Sequence, residues 1–129
     1  MHTLIALLLS VAPASPYEPD YTTAYNRSVT ENKPLIVVVG TTWCPYCPQA
    51  KRLVGDVVTR HYRDQVVLVY LDYDRDRKLA EQAKKYATLP EVIVFPRGRC
   101  GIHVAAGDIT AKSIHEAVTT ALQVPHGND

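Results

Sequence analysis

Two cysteines stand three positions apart in the stretch Trp43-Cys44-Pro45-Tyr46-Cys47. An apolar run precedes them and a segment with helical periodicity follows, so both thiols are expected where a strand ends and a helix begins. Unpaired backbone N–H groups and the positive end of the helix dipole lie at such a point. They stabilise a thiolate, which lowers its pKa and makes it a usable nucleophile near neutral pH. The spacing also lets the second sulfur close a disulfide, so the pair suits a reversible dithiol/disulfide switch better than a permanent crosslink.

The same two cysteines are also compatible with a purely structural disulfide or with half of a zinc site. Structural zinc takes four ligands, typically from two such pairs, and only Cys100 and scattered histidines remain in the chain. Haem attachment requires a histidine directly after the second cysteine, where Pro48 stands instead. We therefore predict no metal and no other cofactor. If Cys44 and Cys47 pair, Cys100 is left over.

The composition is that of a single globular domain. The chain has 129 residues, of which 47% are hydrophobic and 21% charged, both ordinary values for such a domain. Its formal net charge is +1 at pH 7. Because neither basic nor acidic residues are in excess, nucleic acid and acidic membrane surfaces are not expected as partners.

The first residues differ from the rest of the chain. Met1 to Ser15 contains no Asp, Glu, Lys or Arg, Leu4 to Leu9 is apolar, and Ala12-Pro13-Ala14 has the small-x-small form of a signal-peptidase site. We therefore expect residues 1–14 to be a cleaved signal peptide and the protein to be exported, either periplasmic or secreted. The apolar run is too short to span a bilayer, for which about 20 residues are needed. A packed or disordered N-terminal arm is the alternative interpretation.

Helical and strand patterns alternate after a short extended linker, which Pro16 and Pro19 predict over residues 15–19. Four runs that are apolar or alternating predict strands: residues 35–39, 66–71, 91–95 and the segment with Ile102 and Val104. Four segments predict helices: residues 20–31 capped by Asp20, the stretch from Cys47 to His61, the stretch from Leu79 to Ala87, and a last helix capped by Thr110.

This order predicts one α/β domain over residues 20–124, with a frayed tail over residues 125–129. The first two predicted strands should be parallel and joined by a right-handed crossover. The last two should form an antiparallel hairpin. The product is a four-stranded mixed sheet flanked by helices on both faces.

From about Asp20 to Leu122 the chain resembles the thioredoxin superfamily. The features that carry the resemblance are Trp43-Cys44-x-x-Cys47 after a buried strand, Pro90 some forty residues later, the hairpin, and Gly107 before the last helix. The resemblance implies a thioredoxin-like fold and disulfide exchange with protein substrates and a redox partner protein. The chain is expected to be a monomer. The resemblance further implies that Cys44 is the attacking thiolate and that Cys47 is the resolving thiol, joined to it in a disulfide.

The resemblance also implies a substrate-binding surface around the sulfur atoms. A cis peptide bond at Pro90 would expose the backbone of Leu89 to an extended substrate peptide, although a plain helix-terminating proline is the alternative. Trp43, Pro45 and Tyr46 are assigned to substrate contact, with the side chains of Trp43 and Tyr46 as an apolar rim around the sulfur. Ordinary packing is the alternative for the two aromatic residues.

Two other functions remain open beside protein disulfide exchange. The motif Cys44-Pro45-Tyr46-Cys47 and the tripeptide Thr88-Leu89-Pro90 resemble glutaredoxin, which implies glutathione as a possible partner. The glutathione site of that family uses a Gly-Gly…Asp segment near the last helix, and Ala106-Gly107-Asp108 matches it in part. A non-catalytic thioredoxin-like binding module, stabilised by its cysteine pair, is the remaining alternative.

One position departs from the thioredoxin pattern. Thioredoxins carry a buried Asp six residues before the first cysteine, and it helps to move a proton to or from the second cysteine. That position is Val38 here, which accepts no proton. Water or another group must therefore serve Cys47, and the resolving step should be slow and steeply dependent on pH.

Overall fold

The computed structural model describes residues 15–97 and 99–125. The predicted signal peptide and residues 126–129 of the predicted tail lie outside this part of the chain. The strands found there are β1 (Tyr17–Glu18), β2 (Leu35–Gly40), β3 (Val67–Asp72), β4 (Glu91–Phe95) and β5 (Ile102–Val104). The helices are α1 (Tyr21–Glu31), α2 (Cys47–Val57), which a π-helical turn (Val58–Tyr62) continues, α3 (Arg77–Ala83) and α4 (Ala111–Gln123), which a 3-10 turn (Ala106–Asp108) precedes. None of the helices in the described ranges is long and apolar enough to cross a membrane.

The strands form one mixed sheet in the order β1-β3-β2-β4-β5. Strand β3 runs parallel to β1 and β2, whereas β4 is antiparallel to β2 and β5 is antiparallel to β4. The predicted α/β fold is therefore confirmed, together with the parallel pair and the late hairpin.

The predicted number of strands and the predicted linker both need correction. The sequence indicates four strands and an extended linker over residues 15–19, but Tyr17 and Glu18 pair with Leu68 and Val69 as a fifth strand. Two residues are too few to show an alternating pattern, and they occupy the edge of β3 that β2 leaves free. The Tyr17 hydroxyl donates a 2.5 Å hydrogen bond to the Lys51 carbonyl oxygen, which ties this edge strand to α2.

Two apolar layers bury the two faces of the sheet. Ile36 and Val38 on β2 point into the layer under α2 and α4, and Val37 and Val39 point into the layer under α1 and α3. All four of these side chains are fully buried. The continuous β-branched run in the sequence is therefore explained by a central strand with helices on both sides.

The helix caps predicted for Asp20 and Thr110 are confirmed. Asp20 Oδ1 accepts a 2.8 Å hydrogen bond from the backbone N–H of Thr23 at the start of α1. Thr110 and Ser113 satisfy each other's backbone N–H groups at the start of α4. Asp76 precedes α3, but its side chain makes no capping hydrogen bond.

Helix α3 ends earlier than its apolar pattern indicates. The pattern continues to Ala87, but the chain leaves the helix at Lys84, where ψ is 146°. The backbone N–H groups of Lys85 and Tyr86 donate to the Glu91 carboxylate, at 3.0 and 2.9 Å, instead of to a preceding helical turn. The Glu91 carboxylate has thus replaced the backbone carbonyl acceptors of the preceding helical turn. Helical periodicity in the sequence cannot reveal such a replacement.

Glu91 is a fully buried carboxylate at the start of β4. It accepts four hydrogen bonds, because Lys84 Nζ at 3.2 Å and His103 Nδ1 at 2.9 Å add to the two backbone N–H groups. Burial alone raises the pKa of Glu91, but the bonds from Lys85, His103, Tyr86 and Lys84 together outweigh it and hold the pKa below its usual value. The carboxylate therefore fixes the loop that leads from α3 to β4.

We predict that Glu91→Gln lowers the free energy of unfolding by roughly 3 kcal/mol at pH 7, because Lys84 loses its buried counter-charge. The lowered pKa of Glu91 adds stability above the pKa of an unfolded glutamate, about 4.3, and that stability is lost as the pH falls through the folded pKa. The difference from the wild type should therefore shrink as the pH falls from about 5 to about 3. Urea unfolding followed by circular dichroism measures both effects.

Glu81→Gln is the matched control for this prediction. Glu81 is exposed and accepts a hydrogen bond from the Tyr73 hydroxyl, so its replacement should change the stability by no more than about 0.5 kcal/mol. Equal effects of the two substitutions, or a difference from the wild type that does not change with pH, would show that Glu91 does not anchor the loop as a carboxylate.

Candidate active site

The cysteine motif lies where the central strand passes into α2. Strand β2 ends at Gly40, and Cys47 is the first residue of α2. Tyr46 precedes the helix without a capping hydrogen bond from its side chain, and Pro48 follows within the first turn. The start of α2 therefore has no side-chain cap that would compete for its backbone N–H groups, and the positive end of the helix dipole lies beside the sulfur atoms.

Cys44 and Cys47 are joined in a disulfide with 5.4 Å between their Cα atoms. Cys47 is completely buried, whereas Cys44 keeps 6% of its surface exposed. A substrate can therefore approach the sulfur of Cys44 more readily than that of Cys47.

The loop before β4 approaches the disulfide from the other side. The Leu89–Pro90 peptide bond is cis, as the resemblance implies, and Cys44 Sγ lies 3.8 Å from the carbonyl oxygen of Leu89. This brings Leu89 and Pro90 to the sulfur of Cys44, across 45 residues of sequence. The Glu91 carboxylate, which fixes the preceding loop, is the next residue in the chain.

Two large aromatic side chains are exposed beside the disulfide. Trp43 is 68% exposed and Tyr46 is 67% exposed. The indole Nε1 of Trp43 donates a 2.9 Å hydrogen bond to Asp74 Oδ2, in the turn after β3. Pro45 is also exposed, between the two cysteines. Ordinary core packing is therefore not what holds Trp43 and Tyr46 in place, and their contact with a substrate stays a prediction.

A mostly apolar groove of about 560 Å³ runs beside the motif. Its walls come from the start of α2, the cis-proline loop and the turn before α4, and include Tyr46, Ala50, Leu53, Pro90, Gly107 and Ile109. Only Tyr46 and Pro90 of this set are predicted from the sequence as substrate-binding residues. Gly107 belongs to the segment that partly matches the glutathione site of glutaredoxins, and the groove lining includes it. Ala50, Leu53 and Ile109 lie in helical or turn patterns that give no sign of a shared surface.

Tyr70 on β3 is a further residue of the site that the sequence does not single out. A Cβ atom added to Gly40 would overlap the Tyr70 hydroxyl oxygen and would lie 2.9 Å from Cys47 Sγ. The hydroxyl and the buried sulfur therefore border the same small space, which Gly40 leaves open. The one signal in the sequence is that Tyr70 alone carries a polar group within the apolar run of residues 66–71.

The remaining candidates lie apart from this constellation. Cys100 is free and exposed. Within residues 15–97 and 99–125, no three His, Cys, Asp or Glu side chains are placed so that they could hold a metal ion. The site in this part of the chain thus consists of the disulfide, the cis-proline loop, the aromatic rim and the groove.

The comparisons with known proteins agree with this architecture. Three solved thioredoxins have similar folds. The mitochondrial thioredoxin 3 of Saccharomyces cerevisiae in its oxidised form gives a TM-score of 0.62 at 14% identity, over 77% of this chain and 89% of that one. A single-site mutant of a thioredoxin from Halobacterium salinarum gives 0.65 at 17% identity, over 88% and 99% of the two chains. The Malassezia sympodialis thioredoxin gives 0.66 at 17% identity, over 87% and 96%.

No curated protein matches the sequence, and the solved structures establish likeness of fold. The thioredoxin family model, however, matches residues 18–120. This range contains the cysteine pair, the cis proline and all five strands except the first residue of β1. The chain therefore belongs to the thioredoxin family.

Proposed function

We propose that this protein is a thiol–disulfide oxidoreductase that exchanges disulfides with protein substrates through Cys44 and Cys47. A thioredoxin fold with a close cysteine pair supports thiol–disulfide exchange in general. The observation that carries the finer proposal is the asymmetry of the pair: Cys44 is partly accessible, next to Leu89 and the groove, whereas Cys47 is completely buried behind it.

In the first step the Cys44 thiolate attacks a disulfide of the substrate. A bond forms between Cys44 and one substrate sulfur, and the other substrate sulfur leaves as a thiolate that takes a proton from water. The start of α2 stabilises the Cys44 thiolate before the attack. An extended substrate segment can lie along the Leu89 backbone, with its apolar side chains toward the groove and the exposed rings of Trp43 and Tyr46.

In the second step Cys47, once deprotonated, attacks the Cys44 sulfur. The Cys44–Cys47 disulfide forms, the bond from Cys44 to the substrate breaks, and the second substrate sulfur leaves as a thiolate. The same steps in reverse transfer the disulfide from the protein to a dithiol substrate. Neither direction needs a metal or an organic cofactor.

We predict that Cys44→Ser abolishes exchange and that Cys47→Ser accumulates mixed disulfides with substrates. The first variant lacks the accessible nucleophile, and the second cannot release the substrate. A peptide with one disulfide serves as substrate, and non-reducing electrophoresis with mass spectrometry identifies the sulfur atoms that are joined. Cys100 is exposed and follows the end of β4 that pairs with Leu35, at the opposite end of β2 from Gly40. Cys100→Ala should therefore leave the rates within about twofold of the wild type.

Selective alkylation of Cys47 in the reduced wild-type protein at neutral pH would show that the roles of the two cysteines are reversed. A wild-type protein that exchanges no peptide disulfide would instead favour a binding module with a structural disulfide. Faster reduction of a glutathione mixed disulfide than of the peptide would favour the glutaredoxin-like activity.

We also propose that the protein is exported and that residues 1–14 are removed. The support is the uncharged apolar run before Ala12-Pro13-Ala14. We predict a mature chain that begins at Ser15, as determined by N-terminal sequencing of protein from the native host. Recovery of a soluble cytoplasmic protein that begins at Met1 would contradict export.

A further inference from the structure

The resolving step of the proposed function has an electrostatic problem. Cys47 is completely buried, and desolvation disfavours the thiolate that must attack Cys44. Val38, also fully buried, stands where thioredoxins carry an acid. In the sheet, Val38 is the register partner of Tyr70, whose hydroxyl borders the same space beside Gly40 as the Cys47 sulfur.

Gly40 is what allows Tyr70 to reach this place. Any side chain at Gly40 would overlap the Tyr70 hydroxyl oxygen and crowd Cys47 Sγ. The absence of a Cβ atom at the end of β2 therefore opens a passage from the tyrosine oxygen to the sulfur. When the disulfide opens, Cys44 no longer holds the Cys47 sulfur, and the sulfur can turn toward the hydroxyl.

The surroundings of Tyr70 keep its hydroxyl protonated. Burial, and to a smaller extent the negative charge of Asp72 on the same strand, raise the pKa of Tyr70. Lys51 on α2 places its Nζ 4.6 Å from the centre of the Tyr70 ring. Tyr17 on β1 packs edge-on against the ring at 6.4 Å, and β2 contributes the uncharged Gly40 and Val38. Near neutral pH the phenol is thus a hydrogen-bond donor and not a base.

We propose that the Tyr70 hydroxyl donates a hydrogen bond to the Cys47 thiolate during the resolving step and so stabilises it. The inference rests on the proposed function, because it concerns the second cysteine of the same site. Tyr70 takes no proton: the proton of Cys47 goes to water, and the thiolate then attacks the Cys44 sulfur. The new sulfur–sulfur bond forms as the bond from Cys44 to the substrate breaks, and the departing thiolate is protonated by water.

Tyr70→Phe tests the proposal, because it removes one oxygen atom and keeps the ring beneath Lys51. The pKa of Cys47 is measured by NMR titration of its Cβ signal in a Cys44→Ser, Cys100→Ala background, where Cys47 is the sole thiol. A hydrogen bond to the charged form lowers the pKa, so we expect Tyr70→Phe to raise the pKa of Cys47 by about one unit. Tyr17→Phe, whose hydroxyl bonds the Lys51 carbonyl, should leave that pKa unchanged.

A kinetic measurement separates this role from a merely structural one. A mixed disulfide of Cys44 with a coloured thiol is prepared at acidic pH in Cys100→Ala protein, and a jump in pH starts its resolution by Cys47. A Cys47 pKa that is one unit higher makes the thiolate fraction tenfold smaller at pH 7, but the more basic thiolate is also a better nucleophile. Resolution of the mixed disulfide should therefore be about threefold slower in Tyr70→Phe than in the parent at pH 7. Well above both pKa values it should be about threefold faster than in the parent, since both thiols are then ionised.

An unchanged pKa of Cys47, or rates that are equal or uniformly reduced at all pH values, would overturn the role of Tyr70. These outcomes differ from a failure of the proposed function. If the parent protein releases no coloured thiol at any pH, Cys47 does not resolve disulfides at Cys44 and the proposed function itself is wrong.

Discussion

The site depends on the place where the buried strand β2 gives way to the N-terminus of α2. Helices cover both faces of the sheet, and the side chains of β2 are buried in an apolar layer on each face. This packing holds the end of β2, and with it the start of α2, in a fixed position. The helix start offers a positive dipole end to a thiolate, and the first residue of the helix is the buried Cys47. One junction thus supplies a slightly exposed cysteine, a fully buried cysteine and a field that favours ionisation of a thiol.

The second half of the site comes from the loop before β4 and is held by charge. Glu91 binds the backbone of Lys85 and Tyr86, while Lys84 Nζ reaches both Glu91 and the carbonyl oxygen of Thr88, at 3.2 and 2.7 Å. These contacts fix the loop at Lys85 and Tyr86 and again at Thr88, immediately before Leu89 and Pro90. The apolar junction at α2 and the ionic anchor at Glu91 therefore position the two walls between which a substrate disulfide would lie.

Local patterns were enough to predict most of the fold. Neighbouring residues alone indicate the structure of the run of residues 35–39, the caps at Asp20 and Thr110, and the cysteine motif. The features that escaped prediction depend on partners far along the chain. Strand β1 exists because β3 has a free edge, and α3 stops early because Glu91 captures its next N–H groups. The Tyr70 hydroxyl and the Cys47 sulfur border one space because Gly40 lacks a side chain.

The reduction potential of the Cys44–Cys47 pair, obtained by equilibration with glutathione buffers, tests most directly whether this pair is a redox switch. A pair at a helix start, with one accessible sulfur, should be reversibly reduced, at a potential between about −270 and −120 mV, the range of proteins that exchange disulfides. A potential below about −300 mV is typical of structural disulfides. Such a value would contradict the account, because the pair would then stabilise the domain without exchanging disulfides with substrates.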